Sequence, residues 1–158
     1  MAGPISRLLD PARIQLNLQS TQHVAALEET AGLLKTHPDV HNFDGFFQEL
    51  LVRDRLDTTY LGYGVALPHA RTEHVKNIVM AVGCSKAGVP FDNGQASVRI
   101  MFLLGTPKTK PGEYLQVMSA LCKVLQDPVQ REMLLRVTTP DDFIATMIAA
   151  EEKRLRPA

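Results

Sequence analysis

His69 is the residue of this chain best placed for covalent chemistry. It follows Pro68 directly, within the run Gly62-Tyr63-Gly64-Val65-Ala66-Leu67-Pro68-His69-Ala70-Arg71. An imidazole titrates near neutral pH, so it can serve there as nucleophile or proton carrier. Pro68 fixes its own φ and biases Leu67 to an extended backbone, so the ring is delivered from a stiff support. Glycines at 62 and 64 let backbone amides come close to an anion. Histidine, amides and an arginine two residues further on together suggest a phosphoryl group on or beside His69.

A phosphoryl-accepting histidine needs one bare ring nitrogen facing the donor. The other nitrogen must keep its proton in a hydrogen bond that fixes the tautomer. The charge on the moving group must meet preorganised donors. Amides around Gly62 and Gly64 are candidates, as are the hydroxyls of Thr58 and Thr59. Arg53, upstream, offers a planar fork of N–H groups. No metal and no cofactor is called for, because the histidine is itself the acceptor and no water has to be activated.

Each of these residues also has a plainer reading. Arg53 could form a helix-end ion pair with Asp54 or Glu49, and Arg71 one with Glu73. Thr58 and Thr59 suit turn or cap positions, and the two glycines serve backbone geometry first. His74 lies five residues after His69, a spacing that fits neither a shared helix face nor a usual metal pair. A hydrolytic metal site on His69 and His74 would need carboxylate or cysteine ligands that the nearby sequence does not offer. His23, His37 and His41 are scattered and read as surface residues, without zinc-site spacing.

The elements that must hold this loop follow from the pattern around it. Ile14 to Leu18 alternates apolar and polar residues, the period of a half-buried strand. Ser20 is placed to cap a helix carrying the stripe Val24, Leu27, Ala31 and Leu34. A second helix is expected from about Phe43 to Val52, with Asn42 as its cap. The short, partly β-branched runs Ile78–Val82 and Val98–Leu104 read as buried strands joined by a turn at Phe91-Asp92-Asn93-Gly94. After a polar loop from Thr106 to Gly112, a helix from Tyr114 to Leu125 would bury Tyr114, Leu115, Met118, Leu121, Cys122 and Leu125. Asp127-Pro128 and Thr139-Pro140 mark two further helix starts. Strands interleaved with helices make an α/β domain.

Bulk properties bound the partners. The length of 158 residues suits a single domain over residues 1–158, with its core at about 5–150. An apolar share of 45% is enough for a substantial core. Seventeen basic and seventeen acidic residues cancel, so net charge makes no case for nucleic acid or an anionic membrane surface. Residues 1–10 lack a long apolar core, and no run approaches the ~18 apolar residues that read as a membrane span. A cytoplasmic protein without membrane insertion is expected. Cys84 and Cys122 sit in apolar surroundings outside any CxxC pair and read as buried, reduced thiols.

Arg53-Asp54, Thr58-Thr59 and the run from Gly62 to Arg71 together resemble the active-site segment of enzyme IIA domains. These are the fructose–mannitol type of the bacterial phosphoenolpyruvate-dependent phosphotransferase system, a family that includes nitrogen-regulatory enzyme IIA proteins. The likeness extends over roughly residues 5–150, in element order as well as motif. It implies a mixed five-stranded sheet with helices on both faces. It also implies that a phosphorylated HPr-type carrier passes its phosphoryl group to Nε2 of His69, with Arg53 as the active-site arginine. The group would then go to enzyme IIB in sugar transport, or its presence would govern binding to target proteins in regulation. Read as a stand-alone chain, the sequence favours the regulatory, nitrogen-branch-like role.

One position departs from the family pattern. Many members carry a second histidine, followed by leucine, at the start of the helix after the proline loop; here the matching pair is Tyr114-Leu115. A tyrosine hydroxyl can donate to a phosphoryl oxygen, but it brings no positive charge. Slower transfer, or a binding module that keeps the fold without transferring phosphoryl, is the alternative that Tyr114 raises.

Overall fold

The computed structural model describes residues 3–56 and 59–154. Its elements in chain order are β1 (Ile14–Gln15), α1 (His23–Gly32), α2 (Phe43–Leu56), β2 (Tyr60–Gly62), β3 (Val65–Ala66), β4 (His69–Thr72), β5 (Val79–Phe91), β6 (Ala96–Pro107), α3 (Pro111–Leu125), α4 (Pro128–Arg136) and α5 (Pro140–Arg154). Short 3-10 turns at Ser6–Leu8 and Pro11–Arg13 precede β1.

The strands form one mixed sheet in the order β1-β5-β6-β3-β2, with β4 also paired to β6. β5 and β6 are an antiparallel hairpin, whereas β1 runs parallel to β5, and β3 and β4 run parallel to β6. Six strands stand where five were expected, and Pro68 is the reason. Val65 pairs with Ile100 and His69 with Leu104, the same offset, so β3 and β4 are two pieces of one strand line. Pro68 has no N–H to donate to the ladder and interrupts it. Its carbonyl still accepts from the Leu104 amide at 2.9 Å, which keeps both pieces in register.

Strand alternation divides the core in two. Ile100, Phe102 and Leu104 of β6 face one side with Leu67, Met80, Val117, Leu121, Phe143 and Met147. Met101 and Leu103 face the other, with Ala70, Leu27, Phe46 and Leu50. Helices α3, α4 and α5 therefore cover one face and α1 and α2 the other, as expected for this α/β sandwich. Glu151 ties the N-terminal turn to α5: its carboxylate accepts from the amides of Ile5 (2.8 Å) and Ser6 (2.7 Å) and from the Ser6 hydroxyl.

Local signals set most helix ends. Asn42 accepts from the Gly45 amide, Asp127 from the Val129 amide and Thr139 from the Asp142 amide, each at the start of a helix. Two expectations shift. Ser20 does not cap α1, which starts at His23; its hydroxyl bonds to Glu29 at 2.8 Å instead, and Val24 is exposed. On α3, Leu115 is exposed, and the deep positions are Val117, Ala120, Leu121, Val124 and Leu125. The strands also run longer than their apolar cores, because hairpin pairing carries β5 and β6 through polar residues. Among the described residues, no helix is long and apolar enough to cross a membrane.

Candidate functional site

Among the described residues β2 pairs only with β3, so β4 lies at an open edge of the sheet. His69 is the first residue of β4 and Arg71 follows two positions on, which puts both on one face by strand alternation. Ala70 between them packs into the core on the opposite side. At this edge, α2 from one face and the start of α3 from the other converge. They enclose a cleft of about 360 Å³ lined by Glu49, Arg53, His69, Ala70, Arg71 and Tyr114.

The His69 ring has a defined tautomer. Its Nδ1 lies 2.8 Å from the carbonyl oxygen of Leu67. A carbonyl only accepts, so Nδ1 carries the proton, and in the neutral ring Nε2 is left with its lone pair. Nε2 faces the Tyr114 hydroxyl at 3.1 Å, and the hydroxyl donates to it. The two rings are tilted, with centroids 5.5 Å apart. Burial lowers the His69 pKa from its ordinary value; the Leu67 hydrogen bond opposes that shift and the Arg53 charge adds to it. The net direction keeps the ring neutral, the state in which Nε2 is a nucleophile.

Arg53 sits one turn after Glu49 on α2, on the same stripe. The ion pairs that would explain it otherwise are absent among the described residues. The Asp54 carboxylate lies 2.9 Å from His23 Nε2, and the basic side chain within 4.0 Å of Glu49 is that of His74. His23 is no plain surface residue, since its ring stacks on Phe91 with centroids 3.7 Å apart. Arg71 does not pair with Glu73 either; it donates to the Lys108 carbonyl at 3.3 Å, on the loop leading into α3.

The remaining sequence candidates fall elsewhere. Thr58 lies outside the described residues. Thr59 lends its carbonyl to the Leu67 amide at 2.9 Å, while its own hydroxyl is buried and has no hydrogen-bond partner among the described residues. Gly62 and Gly64 form the β2–β3 turn at φ +103° and +80°, a region that favours glycine. The Gly64 amide is donated to the Tyr60 hydroxyl at 3.0 Å, and its carbonyl accepts from Arg99 and Ile100. The structure therefore brings together His69, Arg53 and Tyr114, and adds Glu49 and Arg71. Sequence reasoning names Glu49 only as an ion-pair partner, and reads Arg71 both as part of the phosphoryl-binding pattern and as a possible partner of Glu73. The available signals were the four-residue spacing from Glu49 to Arg53 and the two-residue spacing from His69 to Arg71.

Burial raises the thiol pKa of Cys122 and pushes that of Cys84 up to about 12, so both are poor nucleophiles. Among the described residues, no group of three or more His, Cys, Asp or Glu is placed to hold a metal ion.

The chain and its fold have matches among known proteins. The family described as "Phosphoenolpyruvate-dependent sugar phosphotransferase system, EIIA 2" matches residues 7–150. The chain is similar to the PTS system fructose-specific EIIABC component of Bacillus subtilis, 28% identical over 142 residues. That match takes in 89% of this chain but only 22% of the Bacillus protein. It is also similar to the nitrogen regulatory protein of Pseudomonas aeruginosa, 26% identical over 138 residues, covering 87% of this chain and 90% of that one. Among solved structures, nitrogen regulatory protein IIA-Ntr from Neisseria meningitidis superposes with a TM-score of 0.84 at 29% identity, over 92% of this chain and 99% of that one.

Proposed function

The chain belongs to the EIIA 2 family of the phosphoenolpyruvate-dependent sugar phosphotransferase system, and on that premise we propose that it carries a phosphoryl group on Nε2 of His69. The observation that carries this reading is the tautomer. The Leu67 carbonyl holds the Nδ1 proton and leaves Nε2 with its lone pair in a cleft lined by two arginines.

The donor is a phosphorylated HPr-type protein. In the transfer, the phosphorus–nitrogen bond of the donor histidine breaks and its electron pair stays on the donor ring. The Nε2 lone pair forms the new bond to phosphorus. The Nδ1 proton stays on the ring, donated to the Leu67 carbonyl, so no proton has to leave His69. The Tyr114 hydroxyl must first release Nε2, and is then close enough to donate to a phosphoryl oxygen. Arg53 meets the charge of the moving group with its guanidinium fork.

A regulatory role, in which the phosphorylation state governs binding to target proteins, is supported by likeness to the Pseudomonas and Neisseria nitrogen regulatory proteins along nearly their whole length. Passage of the phosphoryl group to an enzyme IIB is the alternative, supported by the Bacillus EIIABC relative. Tyr114 favours a further reading, a binding module that transfers poorly, because its hydroxyl occupies the Nε2 lone pair.

The test is to incubate the protein with phosphoenolpyruvate, enzyme I and HPr and to measure intact mass. One acid-labile phosphoryl on the wild type, lost in His69→Ala, is the expected result. An unlabelled wild type with cognate donors rejects the carrier reading and leaves the binding module.

A further inference from the structure

Glu49 is a carboxylate in a cleft proposed to receive a dianion. Gly45, Glu49 and Arg53 make one stripe along α2, four residues apart. At Gly45 the missing side chain makes room for His74: a Cβ there would lie 2.7 Å from His74 Nε2. His74 approaches one Glu49 oxygen, Oε1, only to 4.0 Å. The other, Oε2, is buried and receives no hydrogen bond among the described residues. Glu49 also lines the His69 cleft, yet no pair within 4 Å joins it to Arg53 or Arg71 among the described residues. Its charge is thus neither neutralised by the cleft's arginines nor turned fully to solvent.

Resting on the carrier reading, we propose that Glu49 destabilises the phosphorylated form and so sets phospho-His69 as a ready donor rather than a sink. Arg53 and Arg71 draw the phosphoryl group in, and Tyr114 adds a hydroxyl without charge. Glu49 opposes the product, because a carboxylate and a phosphoryl dianion sharing one cleft repel each other. The transfer exchanges like for like, one phosphorus–nitrogen bond broken in the donor and one formed at Nε2. Small charge differences therefore decide its equilibrium. Removing the charge at 49 should move that equilibrium toward this protein by on the order of fivefold, given screening in an open cleft.

The experiment mixes purified phospho-HPr, freed of enzyme I and phosphoenolpyruvate, with wild type, Glu49→Gln or Glu49→Asp, and reads the phosphorylated fraction of both proteins at equilibrium by intact mass. Glutamine matches glutamate closely in helix propensity, so α2 is retained. Expected are an equilibrium shifted toward the phosphorylated chain in Glu49→Gln, a ratio near wild type in Glu49→Asp, and a gap that narrows as salt is raised. A Glu49→Gln ratio within twofold of wild type, a shift toward phospho-HPr, or an Asp variant that behaves like Gln overturns the proposal. Labelling of Glu49→Gln without labelling of wild type overturns the carrier reading for this chain, and this inference with it. No label on wild type or variant overturns the carrier reading, and this inference with it.

Discussion

Replacing Arg53 by alanine separates the two things its charge does. The side chain is half-buried on α2 and has no acidic partner among the described residues, and alanine is the best helix former, so the domain should stay folded. The first effect is on the resting ring. Arg53 is one of the causes holding the His69 pKa down, behind burial, so its removal moves that pKa upward. The second is on transfer. A hydrogen bond to a charged group contributes roughly 1.5–3 kcal/mol, which is about a ten- to hundredfold loss in rate if the contact is made in the transition state. Partial exposure of Arg53 places the expectation toward the lower end. Quenched-flow labelling by phospho-HPr gives the rate, and the ring C–H signals of His69 followed by NMR against pH give the titration. Arg53→Lys should recover the titration, which needs only charge, but not the full rate, which needs the planar fork. A transfer rate within about threefold of wild type, together with an unmoved His69 titration, refutes the assignment.

Tyr114→His should lengthen the lifetime of phospho-His69, since a second imidazole can be cationic where a phenol cannot; decay of the phosphorylated mass over time measures it, and an unchanged or shorter lifetime counts against the idea. His69 has a folded pKa below its unfolded value of about 6.5, so the unfolded chain takes up its proton first. Its contribution to stability is therefore complete above that pH and declines as pH falls from there through the folded pKa; urea unfolding from pH 7.5 to 5 should fall more steeply for wild type than for His69→Gln. Phe143→Ala should destabilise by about 3–5 kcal/mol in the same assay, because the ring is fully buried and packs 6.0 Å from Phe102.

How much of this could be read before folding depends on the sequence distance over which each feature acts. The α/β alternation, the helix starts at Asn42, Asp127 and Thr139, and the buried runs within β5 and β6 were legible, because capping and strand periodicity act within a few residues. The facing of α3 was not. Its apolar residues fit more than one stripe, and contact with β6 and α5 decided that Val117 and Val124 go inward while Leu115 stays outside.

The site divides along the same line. The sequence by itself determined the stiff presentation of His69 after Pro68, and it placed the acceptor of the Nδ1 proton only two residues away, on Leu67. Those interactions are local, so residue order suffices. Tertiary structure alone decided what meets Nε2. Tyr114 stands 45 residues further along the chain, yet its hydroxyl reaches the ring. Glu49 and Arg53 arrive from a helix on the opposite face of the sheet. Only the open edge at β4, where the two helical layers meet, brings their charges into one cleft. Charge acts through space, and residue order does not record which side chains will share it.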